Sequence, residues 1–255
     1  MTSHPLRAVV AFTVALAALS GVAFWLQQNL YATQPLLDLT PAAAEASLVP
    51  VAPAVVTSSD TDAQSGSGVP GIDEQWLDRT STASGVPITA LRAYARAELM
   101  APRDCGVGWT TLAGIGWIES QHGLLGGRTL MTDGRSSSRI LGPALDGTGN
   151  FAAIPATAES RRWHGDRSWD HAFGPMQFIS GTWASWQSDG DGDGVADPND
   201  LDDAAYAAAR YLCAGGRDLT AASGWTAGVL SYNNSRSYLD SVHVAASAYA
   251  ERTRS

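Results

Sequence analysis

The stretch Gly108-Trp-Thr-Thr-Leu-Ala-Gly-Ile-Gly-Trp-Ile-Glu-Ser-Gln-His-Gly123 decides the fold. From Leu112 to Ile118 almost every residue is apolar or small, which predicts a helix over 109–121 that is hydrophobic all round and therefore central. Glu119 is the single carboxylate on it. It stands one helical step from Ile115 (i−4) and two turns from Leu112 (i−7), on a face shared with apolar side chains. An ionised carboxylate there is costly, and desolvation raises its pKa, the condition a general acid needs at neutral pH. The same placement also fits a partly buried Glu at a helix end that pairs with an Arg.

Apolar residues at helical spacing predict two preceding helices over 72–83 and 88–100, with Gly85 and Pro87 between them. Three more follow over 180–186, 203–213 and 237–250, each with Ser or Asp near its start. Residues 128–170 are Gly- and Ser-rich and irregular, with room for short hairpins. The expected fold is mainly α, with one long loop region. Within it, residues 140–155, including Leu145-Asp-Gly-Thr-Gly-Asn-Phe151, are long enough to wall a cleft. Trp163, Trp169 and Trp183 lie near polar loops where sugar faces can stack, although most tryptophans are core.

A second motif is Asp189-Gly-Asp-Gly-Asp-Gly-Val-Ala-Asp-Pro-Asn-Asp200, which fits the twelve-residue EF-hand-like calcium loop. Asp189, Asp191 and Asp193 occupy ligand positions one, three and five. Gly194 makes the sharp turn, Val195 offers a backbone carbonyl, Asp197 is at position nine, and Asp200 closes the loop. The usual final ligand is a longer, bidentate Glu, so Asp200 weakens closure. The alternative is a solvated acidic turn. A structural Ca2+ is the expected cofactor, with no organic one.

The formal net charge is −9, and all sixteen basic residues are Arg. The acidic balance argues against nucleic acid, which needs a basic stripe. The absence of Lys excludes Schiff-base and phosphate-loop lysine chemistry. Residues 8–27 begin with nineteen uncharged positions, about 28 Å as a helix, close to a bilayer's hydrocarbon thickness. Arg7 precedes them, which places residues 1–7 in the cytoplasm and the rest outside, on the far side of a single-pass signal anchor. A cleaved signal peptide followed by secretion is the alternative, although no good small-x-small site follows the apolar run. Residues 28–70, rich in Pro, Ala, Ser and Thr, form the expected flexible linker, and 71–255 the catalytic domain. Cys105 and Cys213 are either two buried thiols or one disulfide, and export favours the disulfide.

Taken in order, four pieces of the chain resemble the lytic murein transglycosylases of the membrane-bound B type, which share a lysozyme-like helical core. These are Gly-Trp-Ile-Glu-Ser-Gln-His-Gly around Glu119, Gly174-Pro-Met-Gln-Phe178 with Thr182-Trp183, Asp202-Asp-Ala-Ala-Tyr through Cys213, and Ser231-Tyr-Asn233. The resemblance spans about residues 71–249, and related transglycosylases include members with a calcium loop. It implies a substrate, peptidoglycan glycan strands, and a lone catalytic residue, Glu119. That residue protonates the glycosidic oxygen between N-acetylmuramic acid and N-acetylglucosamine. It then takes the proton of the muramyl C6 hydroxyl, which closes a 1,6-anhydro ring. Ser120 either bonds near the scissile site or caps the helix end. Gln177 and Asn233 carry amides suited to sugar hydroxyl and N-acetyl groups, while Met176, Phe178 and Tyr232 shape the cleft. Two alternatives stay open. One is a hydrolytic muramidase using Asp133, Asp146, Asp166 or Asp170 as second carboxylate. The other is a non-catalytic wall-binding protein that keeps the fold.

Overall fold

A computed structural model describes residues 49–50, 54–57, 68–149 and 151–254. Among them the chain is mainly helical, as expected. The elements are α1 (Glu74–Ser84), α2 (Ile88–Met100), α3 (Trp109–Ser120), β1 (Leu141–Ala144), α4 (Ser160–His164), β2 (His171–Phe173), α5 (Ser180–Trp186), α6 (Leu201–Leu212), α7 (Ala222–Tyr232) and α8 (Arg236–Arg252). The predicted cytoplasmic residues 1–7, the anchor 8–27 and most of the linker 28–70 lie outside the described residues. No helix among the described residues is long and apolar enough to cross a membrane. Within the predicted linker, Thr57 lies antiparallel to Ile72, and the Asp73 N–H donates to the Val56 carbonyl at 2.9 Å.

The all-round apolar sequence of α3 has its structural counterpart. Every residue of α3 except Trp117 is buried, against α8 on one side and α2 on another. α2 packs in turn on α6, and α1 spans α2 and α8. The start of α3 has no capping side chain of its own. Instead, Glu98 at the end of α2 accepts the Trp109 N–H at 2.5 Å, satisfying one of the helix's orphan donors. Two glycines let neighbours approach closely. A Cβ at Gly114 would sit 3.0 Å from the Val242 carbonyl oxygen, and one at Gly116 only 2.0 Å from Tyr94 Oη. Tyr94 is fully buried and bonded to His122 Nδ1 at 3.1 Å, so it has nowhere to withdraw. Gly116→Ala should therefore destabilise the fold by about 2 kcal/mol, read from the urea midpoint. An unchanged midpoint would mean that Tyr94 repacks freely.

α1 and α6 depart from expectation at their starts, because a capping Asp sets each one. Asp73 accepts the Trp76 N–H at 2.7 Å, and Asp200 accepts the Asp202 N–H at 3.0 Å, which moves the α6 start back to Leu201. α7 was not foreseen at all. The irregular region holds one antiparallel pair, β1 with β2, in which Leu141 faces Phe173 and Ala144 faces His171. Leu145, Ala172 and Ile179 make a small second core beside it, with Phe151 and Ile154 packed on. The 140–155 loop is thus anchored at both ends of its turn. Cys105 and Cys213 form a disulfide that ties the α2–α3 connection to the end of α6, across a sequence separation of 108. A cross-link over so long a loop restricts the unfolded chain strongly.

Candidate active site and metal centre

Glu119 lies in the last turn of α3 and is 4% exposed. Burial pushes its carboxyl up to about 8, partly opposed by the hydrogen bond that Tyr238 Oη donates to Oε1 at 2.6 Å. The Tyr238 hydroxyl is itself held well above its ordinary value, by burial first and then by the Glu119 charge, so it stays a donor. Tyr232 is raised for the same two reasons. Among the described residues the carboxyl is bonded by a phenol and by no Arg, and with its pKa raised to about 8 it is mostly protonated at neutral pH. That is the state of a general acid.

Backbone strain gathers around this residue. Among the described residues, three non-glycine positions have positive φ: Gln121 (54°), His122 (60°) and Gln177 (50°). Each costs on the order of 1–3 kcal/mol and persists only where its surroundings hold it. Gln121 and His122 terminate α3 directly after Glu119 and Ser120. His122 is clamped between Tyr94 and Tyr249 hydroxyls, and burial lowers its imidazole to about 3, so it is neutral.

Gln177 belongs to a tight turn over 174–178, closed by reciprocal bonds between Phe173 and Phe178 of 2.9 and 3.1 Å. Ser120 Oγ donates to the Pro175 carbonyl at 2.6 Å, and Tyr232 Oη donates to that of Met176 at 2.7 Å. At Gly174 (φ 76°) an added Cβ would strike the Pro198 carbonyl oxygen at 1.8 Å, which locks the turn's other side against the 189–200 loop. The turn is thus wedged between the Glu119 helix end and the acidic loop. Ser120, Met176, Gln177, Phe178, Tyr232 and Asn233 are all buried. Phe178 stacks edge-on with Trp183 and Tyr232, and Asn233 ends α7. Gln177 Nε2 donates to the Gly174 carbonyl at 2.9 Å, while its buried Oε1 has no partner. Trp183 is buried in the core, so its face is not available for stacking, whereas Trp163 and Trp169 are half-exposed.

The four aspartates considered as second carboxylates are engaged elsewhere. Asp170 Oδ1 lies 3.1 Å from His164 Nε2, and its Oδ2 accepts Ser180 Oγ at 2.5 Å. Asp166 pairs with His171, Asp146 with Thr148, and Asp133 accepts the Arg135 N–H. Tyr238, from α8, is the residue sequence reasoning missed. Its only sequence signal is a place on the apolar stripe Tyr238, Val242, Ala246, where a tyrosine passes for core.

In the acidic loop, oxygens of Asp189, Asp191 and Asp203 come within 4.8 Å of one another, a set that could hold a metal ion. Asp203 stands in the first turn of α6, beyond the twelve-residue loop. It is buried, and its oxygens also accept the Gly190 N–H at 2.6 Å and the Asp197 N–H at 2.8 Å. Burial and the neighbouring acidic charges push it up to about 7. The donor set is all carboxylate oxygen, which suits a hard cation. Of the other predicted ligands, Asp193 accepts the Val195 N–H at 2.7 Å, Asp197 pairs with Arg135 at 3.2 Å and Asp200 caps α6, while Asp189 and Asp191 likewise accept loop N–H groups. Val195 is exposed.

Fold and site together define a mainly helical domain with a buried carboxyl, whose neutral form burial favours, next to a strained turn braced by an acidic loop. No known protein family, curated protein or solved structure matches this chain.

Proposed function

We propose that this chain is a peptidoglycan lytic transglycosylase of lysozyme-like fold, cleaving the β-1,4 bond between N-acetylmuramic acid and N-acetylglucosamine. The observation that carries this reading is Glu119, a buried carboxyl held at about 8, with a phenol as hydrogen-bond partner. In the reaction, Glu119 gives its proton to the glycosidic oxygen as the C1–O bond breaks, leaving an oxocarbenium-like sugar. The resulting carboxylate takes the proton of the muramyl C6 hydroxyl, whose oxygen bonds to C1. Atoms balance without water, and Glu119 ends protonated as it began. Tyr238 Oη steadies the carboxylate between the two proton transfers. The unpartnered Gln177 Oε1 suits an acetamido N–H or a sugar hydroxyl.

Glycosidases that use two carboxyls hold them about 5–9.5 Å apart across the scissile bond. The hydrogen-bonding of Asp133, Asp146, Asp166 and Asp170 to other groups supports the one-carboxyl route. For the acidic loop we propose Ca2+ on Asp189, Asp191 and Asp203. It would pin the loop to α6 and, through the Pro198–Gly174 contact, brace the 174–178 turn. The disulfide suits an oxidising compartment and agrees with anchoring through residues 8–27, the domain facing outward. Digestion of purified sacculi followed by mass spectrometry tests the reaction. Products one water lighter than reducing-end muropeptides are expected, and reducing ends alone would assign hydrolysis instead.

A further inference from the structure

A cavity of about 210 Å³ opens beside the 174–178 turn, lined by Arg135, Arg139, Arg162, Trp163, Pro175 and Asn199 among others. Three Arg at one cavity stand out in a chain of net charge −9. They are not equally free. Arg135 is held by Asp197 at 3.2 Å and Asp200 at 3.8 Å. Arg162 pairs with Glu159 at 3.1 Å and lies over the Trp163 ring, 4.5 Å from its centroid. The Arg139 guanidinium makes no hydrogen bond or ion pair among the described residues. Its backbone is fixed, because its carbonyl accepts Arg128 Nη2 at 3.0 Å. Opposite in character is Asn199. Its Nδ2 donates to Asp197 Oδ1 at 3.0 Å, which orients the amide and leaves Oδ1 buried with no donor to accept from.

The cavity therefore holds one unspent cation with a forked set of donors and one unspent acceptor. A guanidinium fork matches a carboxylate in a bidentate way, and a buried amide oxygen needs an N–H or O–H. The acceptor Asn199 Oδ1 disfavours a phosphate dianion, which brings no donor to it. An acylated amino acid brings both a carboxylate and an amide N–H. We propose that this cavity is a subsite for the free carboxylate and adjoining N–H of an acylamino acid or peptide carried by the substrate. The carboxylate would lie on Arg139 and Arg162, and the N–H on Asn199 Oδ1. Pro175 joins it to the reacting end: it lines the cavity, and its carbonyl accepts the hydroxyl of Ser120, next to Glu119. The inference rests on the glycan-cleaving reading for its substrate, but its binding step stands separately.

Binding is measured on the intact chain by NMR titration with N-acetylalanylalanine, its C-terminal carboxamide and inorganic phosphate. The free acid should bind at least tenfold more tightly than the carboxamide, and Arg139→Ala should weaken it at least tenfold. Arg139 is exposed, so its removal should leave the melting temperature unchanged. Equal binding of acid and amide, equal competition by phosphate, or full binding by Arg139→Ala would each overturn the subsite. Glu119→Gln separates the two claims, because it should bind the free acid as the native chain does. If that variant still cleaves glycan, the catalytic reading falls while the subsite stands. In cleavage, Arg139→Ala should lower kcat/KM about tenfold more on peptide-bearing strands than on peptide-stripped ones. An equal loss on both would count against the proposal.

Discussion

Glu119→Gln is expected to reduce glycan cleavage by on the order of 10³-fold while making the protein more stable at neutral pH. Gln keeps the shape and an acceptor oxygen for Tyr238 Oη, now 2.6 Å from Glu119 Oε1, but it has no proton to give. The gain in stability follows from linkage. The carboxyl moves from 4.5 to about 8 on folding, so between these values the native state holds a proton the unfolded chain has released. The stability this proton provides is complete below about 4.5 and is lost progressively as pH rises toward about 8. Gln carries no such dependence. By pH 7 the difference amounts to about 3 kcal/mol at most. Asp200, Asp203 and Glu98 are also raised, to about 8, about 7 and about 7, but they are present in both proteins and cancel in the comparison. Denaturant unfolding at several pH values checks this: the two proteins should agree near pH 4.5 and diverge above it. A constant offset at every pH would show that Glu119 is not the group holding the proton. Cleavage by the native chain should likewise fall as pH rises through about 8, when the acid loses its proton.

What the sequence revealed of this arrangement, and what it hid, has physical causes. α3 was legible because its apolar character is uniform, and a helix with no polar face has only the centre of the molecule to occupy. α2 and α5 end where their patterns end. α7 escaped because Ala222–Tyr232 contains Gly224 and Gly228, which count against a helix by propensity. In the fold Gly224 serves contact, since a Cβ there would lie 1.9 Å from the Asp218 carbonyl oxygen. At Gly228 a Cβ would make only ordinary contact, 3.4 Å from the Leu212 carbonyl oxygen. Packing explains the glycine at 224, and the two together erased the local helix signal. Tyr238 was hidden for the opposite reason, since a buried tyrosine on an apolar stripe does not announce which polar atom its hydroxyl will meet. The cavity at Arg139 and Asn199 joins residues sixty positions apart, and only the fold puts an unspent donor opposite an unspent acceptor.

In the acidic loop the twelve-residue pattern and the geometry propose different third ligands for a cation. Removing calcium with a chelator should lower the melting temperature by about 5–10 °C. At a hundred times the Kd a bound ion contributes about 2.7 kcal/mol, and a domain of this size shifts about 2–4 °C per kcal/mol. The twelve-residue pattern assigns the closing ligand to Asp200, whereas the geometry gathers Asp189 and Asp191 with Asp203. Asp203→Asn should therefore abolish the calcium response. Asp200→Asn should retain most of it, because Asn caps a helix as well as Asp, and the Asp202 N–H now 3.0 Å from Asp200 Oδ1 keeps its acceptor. Thermal melts with and without chelator decide between the registers. Equal loss in both variants would restore Asp200 as a ligand, and no response in the native chain would leave a solvated acidic turn. The same ion should matter to cleavage at a distance. Pro198 of the loop abuts Gly174 of the turn that Ser120 grips, so loosening the loop loosens the backbone beside Glu119. Chelation should then lower the rate without moving the pH at which Glu119 titrates.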